Sequence, residues 1–170
     1  MLGGPKIRLE KNADHYVIRE ITELAFREMP FAGGDEQDVI DRLRCCNALS
    51  LSLVAELEGE VVGHIAFSPA LSEDQSDQWF ALGPVSVLPE FQTRGIGSAL
   101  VESGLKRIKG RNALGCILTG NPEYYRRFGF ALSPQHVPLN EPKEYFMLRL
   151  FTSIQPTGAF SFHPAFYGDA

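Results

Sequence analysis

The sequence is poor in cysteine. Its 170 residues include only three, Cys45, Cys46 and Cys116, which form no C-x-x-C pair and cannot all bond to one another. Neither a disulfide framework nor a zinc site is therefore indicated, and no metal is expected. We expect Cys116 to be a small buried hydrophobe and the other two to pack on a helix face.

Long apolar runs are also missing. No stretch approaches the ~18 apolar residues that a membrane span requires. The first residues, "MLGGPKIRLEKNADH", lack the apolar centre of a signal peptide. We expect a cytoplasmic protein with reduced thiols and no membrane partner.

Charge is present but unevenly distributed, with a formal net charge of −5. Residues 1–60 hold 12 acidic and 7 basic side chains, whereas residues 88–127 hold 7 basic and 3 acidic ones. An acidic N-terminal third suits a cationic partner and a basic centre suits a small polyanion, although scattered surface charge gives the same pattern. The net negative charge does not favour nucleic acid as a partner.

The spacing of apolar residues changes in an orderly way along the chain and predicts ten main elements. In chain order they are a strand at 7–10, a helix capped by Asp14, a helix from Asp35, two strands joined by a turn at Glu58 and Gly59, a strand from Trp79, a helix from Ile96, a strand at 113–120, a short helix from Pro122 and a late strand at 144–151. This order indicates a mixed α/β sheet in one domain, residues 1–170.

Three helices have apolar faces that can be assigned from their spacing, and the expected face of the second helix is Val39, Leu43 and Cys46. For the first helix the expected face is Val17, Ile21, Leu24 and Ala25. For the helix after the glycine-rich turn it is Ile96, Leu100, Val101, Leu105 and Ile108.

A glycine-rich turn, "QTRGIGS" at 92–98, leads into that helix. Without a Cβ, Gly95 and Gly97 let the backbone approach a ligand, and the first N–H groups of a helix point outward with the positive end of its dipole. This arrangement binds phosphate. No G-K-[ST] follows and the third glycine of the dinucleotide fingerprint is missing. Glycines that serve only the turn remain an equal alternative.

The strand before the turn contains Gly83 and Pro84 in its interior, where a paired central strand tolerates neither well. We therefore expect a bulge or a splay. Backbone groups around Val85, Ser86 and Val87 would then be available to pair with an extended ligand that carries amides. A ligand with a diphosphate at one end and amides along its arm matches both features, and coenzyme A has that structure.

Two ordered motifs resemble those of a known family. The motif Q-x-x-G-x-G, which begins at Gln92 after "VSVLPEF", is similar to the acetyl-coenzyme A-binding motif of the GNAT superfamily of N-acetyltransferases. The stretch "NPEYYRRFGF", from Asn121, is similar to the family's helix and turn in which a tyrosine precedes Gly-Phe. The stretches "LVAELEGEVVGHIAFSP" and "GAFSFHPAF" look like the bacterial YhbS-like branch, so the resemblance covers nearly the whole chain.

The resemblance implies a fold and a division of the chain. The fold is α/β (α+β), with a mixed, mostly antiparallel central sheet that has a splayed strand pair and is flanked by about four helices. Residues 1–60 would supply the acceptor-side helices, 79–130 the acetyl-coenzyme A-binding core, and 131–170 the C-terminal strands and tail.

It also implies roles for individual residues. Main-chain groups of Val85 and Val87 would pair with the pantetheine arm, and the N–H of Val87 would polarise the acetyl carbonyl. Asn121 would bind the pantetheine and Phe128 would pack against the cofactor. The pyrophosphate would be held by Gln92, Thr93, Arg94, Gly95, Ile96, Gly97 and Ser98.

A tyrosine would be the general acid of the implied reaction. Tyr125 stands four residues before Gly129 and would protonate the departing thiolate, although the adjacent Tyr124 competes for this role. The general base stays open, because no spacing argument separates the candidates. They are Glu20, Glu23, Glu28, His64, Ser86 and Glu90.

The implied activity is transfer of an acetyl group from acetyl-coenzyme A to a primary amine of a small molecule or a protein. The implied protein is a monomer or a homodimer. The alternative is a non-catalytic coenzyme A-binding regulatory module, which would retain the glycine turn and would not need the tyrosine.

Overall fold

The computed structural model describes residues 3–30 and 32–168. In this part of the chain, seven strands form one sheet in the order β1-β2-β3-β4-β5-β7-β6, and every neighbouring pair is antiparallel except β4–β5. The strands are β1 Lys6–Leu9, β2 Leu51–Leu57, β3 Glu60–Pro69, β4 Trp79–Val87, β5 Gly115–Thr119, β6 Ala131–Leu132 and β7 Phe146–Leu150. The prediction of a mixed, mostly antiparallel sheet is confirmed.

Within the described residues, four α-helices flank this sheet, in agreement with the expected number of about four. They are α1 His15–Phe26, α2 Glu36–Cys45, α3 Ile96–Lys109 and α4 Pro122–Tyr125. Helix α3 packs on one face of strands β1 to β4, and α1 packs on β3 and β4 beside α2. The hairpin turn at Glu58 and Gly59 lies between β2 and β3, where the sequence predicts it.

The predicted splay lies between β4 and β5. These parallel strands pair only from Trp79↔Gly115 to Ala81↔Ile117, and β4 continues beyond that point without β5. Gly83 has φ +129°, and the β3–β4 register shifts opposite this segment, between Ile65 and Phe67. The gap between β4 and the end of β5 is therefore built into the sheet by the Gly-Pro interruption.

The expected apolar face of α3 is confirmed, since all five of its members are buried. The face of α1 is only partly as expected. Ile21 and Ala25 are buried, but Ile18 and Thr22 complete the face in place of Val17 and Leu24. Thr22 is tolerated there because its hydroxyl donates to the Ile18 carbonyl at 2.7 Å.

The cysteines divide differently from the expectation. Cys116 is fully buried in β5, as predicted, and burial raises the pKa of its thiol. Cys45 and Cys46 are exposed at the end of α2, so their prediction as packing residues was wrong. The face of α2 that packs inward contains Val39 and Leu43, as expected, with Ile40 in place of Cys46.

Candidate active site

Strand β4 presents its open edge to the gap in the sheet. The N–H of Leu88 donates to Val62 of β3 at 2.9 Å, so alternate amides along β4 face β3. Val85 and Val87 lie at the intervening positions, and their N–H groups point toward the gap. The side chain of Ser86 is buried under α1, where its hydroxyl lies 3.4 Å from that of Thr22.

The glycine turn is tied to the end of β4 by Gln92. The side-chain amide of Gln92 donates to the carbonyl of Val87 at 2.9 Å. Thr93 and Gly95 both adopt left-handed backbone conformations, with φ +65° and +81°. Glycine has no steric penalty in that region, which explains its presence at the N-cap of α3.

The first turn of α3 has outward-facing N–H groups. The amide of Ala99 donates to Gly95 at 3.0 Å, which makes it the first amide to bond within the helix. The amides of Ile96, Gly97 and Ser98 therefore point out of the helix start, together with the positive end of its dipole. The fourteen-residue α3 thus supplies an anion-binding terminus beside the open edge of β4.

The two adjacent tyrosines have different surroundings. The hydroxyl of Tyr124 lies 3.4 Å from Ser98 Oγ, at the start of α3. Tyr125 lines the gap between β4 and β5, and its hydroxyl makes no hydrogen bond to any described residue. Burial raises the pKa of Tyr125, so it is protonated at neutral pH. The two tyrosines therefore differ: Tyr124 lies at the glycine turn, and Tyr125 lines the gap without a hydrogen-bond partner among the described residues.

The segment that carries both tyrosines is held by Asn121 and Phe128. Asn121 Oδ1 accepts a hydrogen bond from the N–H of Glu123 at 3.0 Å and thereby caps α4. Its side-chain NH₂ is not used in this contact. Phe128 is buried against the rings of Tyr124 and Tyr125.

A cavity of about 900 Å³ runs through the gap. On the α3 face it is lined by both tyrosines, together with Leu118, which belongs to the core under α3. On the opposite face of the sheet, the cavity continues between α1, α2 and the C-terminal segment, which here means residues 160–168. The lining there is Phe26, Met29, Pro30, Ala32, Gly33, Asp35, Glu36, Val39, Glu141, Phe162, Phe166 and Tyr167. The cavity therefore connects the two faces of the sheet.

None of the six general-base candidates lines this cavity. His64 is fully buried in β3, and its Nε2 lies 2.8 Å from the hydroxyl of Ser52 in β2. Desolvation lowers its pKa to about 4, so it is neutral. Ser86 is also buried, and the four glutamates among the candidates are exposed outside the cavity.

The carboxylates that do line the cavity are Asp35, Glu36 and Glu141, which the sequence analysis did not single out. Asp35 pairs with Arg42 at 3.1 Å. Glu36 accepts hydrogen bonds from the amides of residues 33 and 34. Glu141 accepts from two hydroxyl groups on other parts of the chain, at 2.7 and 2.9 Å. The acidity of residues 1–60 was the only sequence signal for acidic side chains at this site. It covers Asp35 and Glu36 but not Glu141, which lies much later in the chain.

Basic side chains lie near the glycine turn and along α3. The guanidinium of Arg94 lies over the ring of Phe91, and that of Arg127 over the ring of Tyr124. A separate groove of about 470 Å³ is lined by Lys106, Lys109, Arg127 and Arg149, with one acidic residue, Glu102. The basic centre predicted from the sequence is therefore a surface feature of α3 and the segment after α4.

Within residues 3–30 and 32–168, no cluster of three or more His, Cys, Asp or Glu side chains could hold a metal ion. None of the helices in that part of the chain is both long enough and apolar enough to cross a membrane.

Comparison with known proteins gives consistent relatives. An Escherichia coli (strain K12) protein described as the uncharacterized N-acetyltransferase YhbS is 33% identical over 107 residues, which is 62% of this chain and 64% of the relative. The chain thus spans less than two thirds of the length of this curated relative.

Solved structures match over more of the chain. A GNAT family acetyltransferase from Brucella melitensis in complex with acetyl-CoA is 43% identical, with a TM-score of 0.85 over 95% of this chain and 97% of that one. Escherichia coli YhbS in complex with CoA is 26% identical, also with a TM-score of 0.85, over 96% and 92%. The model of the acetyltransferase (GNAT) family matches residues 18–130. The chain belongs to the GNAT family of acetyltransferases.

Proposed function

We propose that this protein transfers an acetyl group from acetyl-coenzyme A to a primary amine. The observation that carries the proposal is the cavity through the β4–β5 gap. It has the open edge of β4 and the free hydroxyl of Tyr125 on one side and an acidic, partly apolar chamber on the other. A thioester and an amine could therefore approach each other from opposite faces of the sheet.

The acetyl-coenzyme A would lie along β4 and across the start of α3. Its diphosphate would accept hydrogen bonds from the amides of Ile96, Gly97 and Ser98, and its pantetheine arm would pair with Val85 and Val87. The unused NH₂ of the Asn121 side chain would donate to the same arm. The B. melitensis and E. coli relatives were crystallised with acetyl-CoA and CoA, which supports this placement.

The acetyl carbonyl would be polarised by a main-chain N–H of β4. The family resemblance implies this role for Val87, and the amide of Val85 points toward the same gap and adjoins the cavity. The neutral amine would attack the carbonyl carbon, and the developing oxyanion would be stabilised by this hydrogen bond. The C–S bond then breaks, and the sulfur leaves as a thiolate.

Tyr125 would protonate the leaving thiolate. Because burial raises its pKa above the ordinary value of about 10, the phenol keeps its proton at neutral pH and is available as a donor. The phenolate regains a proton as the nitrogen of the tetrahedral intermediate loses one, so a neutral amine reacts with no net release of protons. No covalent enzyme intermediate is needed. A hydroxyl with no partner in the gap favours an enzyme over a non-catalytic coenzyme A-binding module.

The test is acetylation of a panel of amines with acetyl-coenzyme A as donor. The rate is measured from the free coenzyme A thiol that the reaction releases. Tyr125→Phe should lower kcat about a hundredfold or more, as expected for loss of a general acid, while coenzyme A affinity is retained. Tyr124→Phe is the matched control and should chiefly weaken coenzyme A binding. Tight binding of coenzyme A without acetylation of any amine would instead favour the regulatory module. An unchanged rate in Tyr125→Phe would remove its assigned role.

A further inference from the structure

Two cavity carboxylates, Glu36 and Glu141, have no basic side chain of the described residues as a partner, and Glu36 is instead bound by the main-chain amides of residues 33 and 34. The two oxygens of Glu141 accept hydrogen bonds from the hydroxyls of Thr119, at 2.7 Å, and Tyr167, at 2.9 Å. Both donors are neutral, so they fix the orientation of the carboxylate without cancelling its charge. Asp35, by contrast, is already paired with an arginine.

Glu141 and Tyr125 act from opposite faces of the sheet. Along β5, Leu118 packs into the core on the α3 face, where Tyr125 also packs, and Ile117 packs into the core on the other face. Side chains alternate along a strand, so Thr119 shares the face of Ile117. The carboxylate that Thr119 orients is therefore separated from the Tyr125 side of the gap, where the thioester would react.

Between these two ends the chamber is mainly apolar. Phe26 and Met29 line it from the end of α1, and Phe162 and Phe166 line it from the C-terminal segment. Such walls stabilise hydrocarbon and provide no hydrogen bonds. An acceptor that reaches from the thioester to Glu141 therefore needs an apolar middle and a positive charge at its far end.

We propose that Glu141, oriented by Thr119 and Tyr167, binds a second cationic group of the acceptor, and that the substrates are aliphatic diamines. The reacting primary amine lies in the β4–β5 gap, and the distal ammonium forms a charge-assisted hydrogen bond with Glu141. This assignment rests on the proposed acetyltransferase function. A role for Glu141 as the base is disfavoured, because its carboxylate lies away from the reacting amine.

The experiment compares three amines of one chain length with the intact protein and acetyl-coenzyme A. They are 1,5-diaminopentane, pentylamine and 5-aminopentanoate, whose distal groups are positive, apolar and negative. We expect kcat/KM for the diamine to exceed that for pentylamine by about tenfold or more, and the aminopentanoate to be the poorest substrate. A series of diamines with three to eight carbons should show an optimum length, since the distance to Glu141 is fixed.

Glu141→Gln should reduce the diamine preference to near one, mainly by raising KM for the diamine. Thr119→Val and Tyr167→Phe should each reduce the preference partly, because they remove one orienting hydroxyl and keep the charge. Glu144→Gln is the matched control, since Glu144 is exposed and does not line the cavity. Coenzyme A affinity measured by calorimetry checks that each variant is folded and binds its donor.

Binding of the diamine to the complex with coenzyme A is measured in parallel, so that the two proposals can fail separately. The assignment of Glu141 is overturned if the diamine preference is the same in wild type and in Glu141→Gln. It is also overturned if wild type shows no diamine preference in either the acetylation assay or the binding assay. Absence of acetylation together with Glu141-dependent diamine binding overturns the transferase function and supports the cation site.

Discussion

The side-chain amide of Gln92 donates a 2.9 Å hydrogen bond to the main-chain carbonyl of Val87. It joins the last residue of β4 to the first residue of the glycine turn. The carbonyl of Val87 is thus held while its N–H faces the gap. Gln92 therefore positions the two parts of the candidate coenzyme A site, the strand edge and the start of α3, relative to each other.

Gln92→Met should weaken coenzyme A binding. Methionine keeps the length of the side chain but lacks the donor, and a lost hydrogen bond of this kind costs about 1 kcal/mol, or about fivefold in Kd. The maximal rate at saturating donor should change less, because the reacting groups are untouched. Calorimetry with coenzyme A and a KM–kcat comparison are the measurements, with the exposed Gln135→Met as control. Equal Kd values in Gln92→Met and wild type would contradict this positioning role.

Gly97→Glu should abolish most coenzyme A binding. A Cβ at Gly97 would lie 3.2 Å from the hydroxyl of Tyr124 and 3.9 Å from Val87 Cγ2, within the expected pyrophosphate site. A carboxylate there opposes the diphosphate directly, and such juxtaposition costs several kcal/mol, which predicts a loss of affinity above about a hundredfold. Gly97→Gln has the same bulk without the charge and should lose less. Retained affinity in Gly97→Glu would show that the diphosphate binds elsewhere.

The parts of the fold that were predictable depend on local sequence. The face of α3 follows from helical spacing, and the turn at Glu58 and Gly59 follows from turn chemistry between alternating strands. The splay was also foreseeable, because Gly83 and Pro84 weaken strand pairing wherever they occur. Each of these features needs only neighbouring residues to form.

The acceptor side could not be predicted in this way. Glu141 meets Thr119 across 22 positions and Tyr167 across 26, so only the folded chain brings them together. The buried face of α1 was misassigned for a related reason. Thr22 is polar, but its burial is tolerated because the Ile18 carbonyl of the same helix accepts from its hydroxyl and the fold brings the Ser86 hydroxyl to 3.4 Å from it.

Acid should destabilise the protein through His64. Its pKa is 6.5 when the ring is exposed, as in the unfolded chain. In the folded protein the pKa is about 4, because burial disfavours the charged ring. The unfolded chain binds the proton first, so stability is complete above pH 6.5 and falls as the pH drops toward 4. The loss is about 2 kcal/mol by pH 5 and about 3 kcal/mol below pH 4.

Urea unfolding between pH 8 and pH 5 measures this dependence. His64→Leu removes the titrating ring, so its free energy of unfolding should fall by about 2 kcal/mol less than that of wild type over this range. The bond that Ser52 donates to Glu10 is available in both proteins. Parallel pH profiles for the two proteins would mean that His64 is not the group that loses stability in acid.

Gly120→Ala should lower the rate of acetyl transfer by displacing Tyr125. A Cβ at Gly120 would lie 3.1 Å from Cδ2 of the Tyr125 ring and 2.7 Å from Cε2, and the second distance is closer than carbon atoms can approach. The ring must therefore move, and a shift of about 1 Å in a catalytic group lowers rates by as much as a hundredfold. The start of α3 is untouched, so coenzyme A affinity should change little.

Gly110→Ala is the matched control, because its new Cβ would meet only main-chain oxygens at 3.4 and 3.5 Å, at the end of α3. Steady-state kinetics and calorimetry on both variants separate an effect on turnover from one on donor binding. A fall in kcat confined to Gly120→Ala, with the two coenzyme A affinities alike, is the expected result. Full activity in Gly120→Ala would mean that the position of the Tyr125 ring does not limit the reaction, and the phenol would then no longer be the best candidate for the acid.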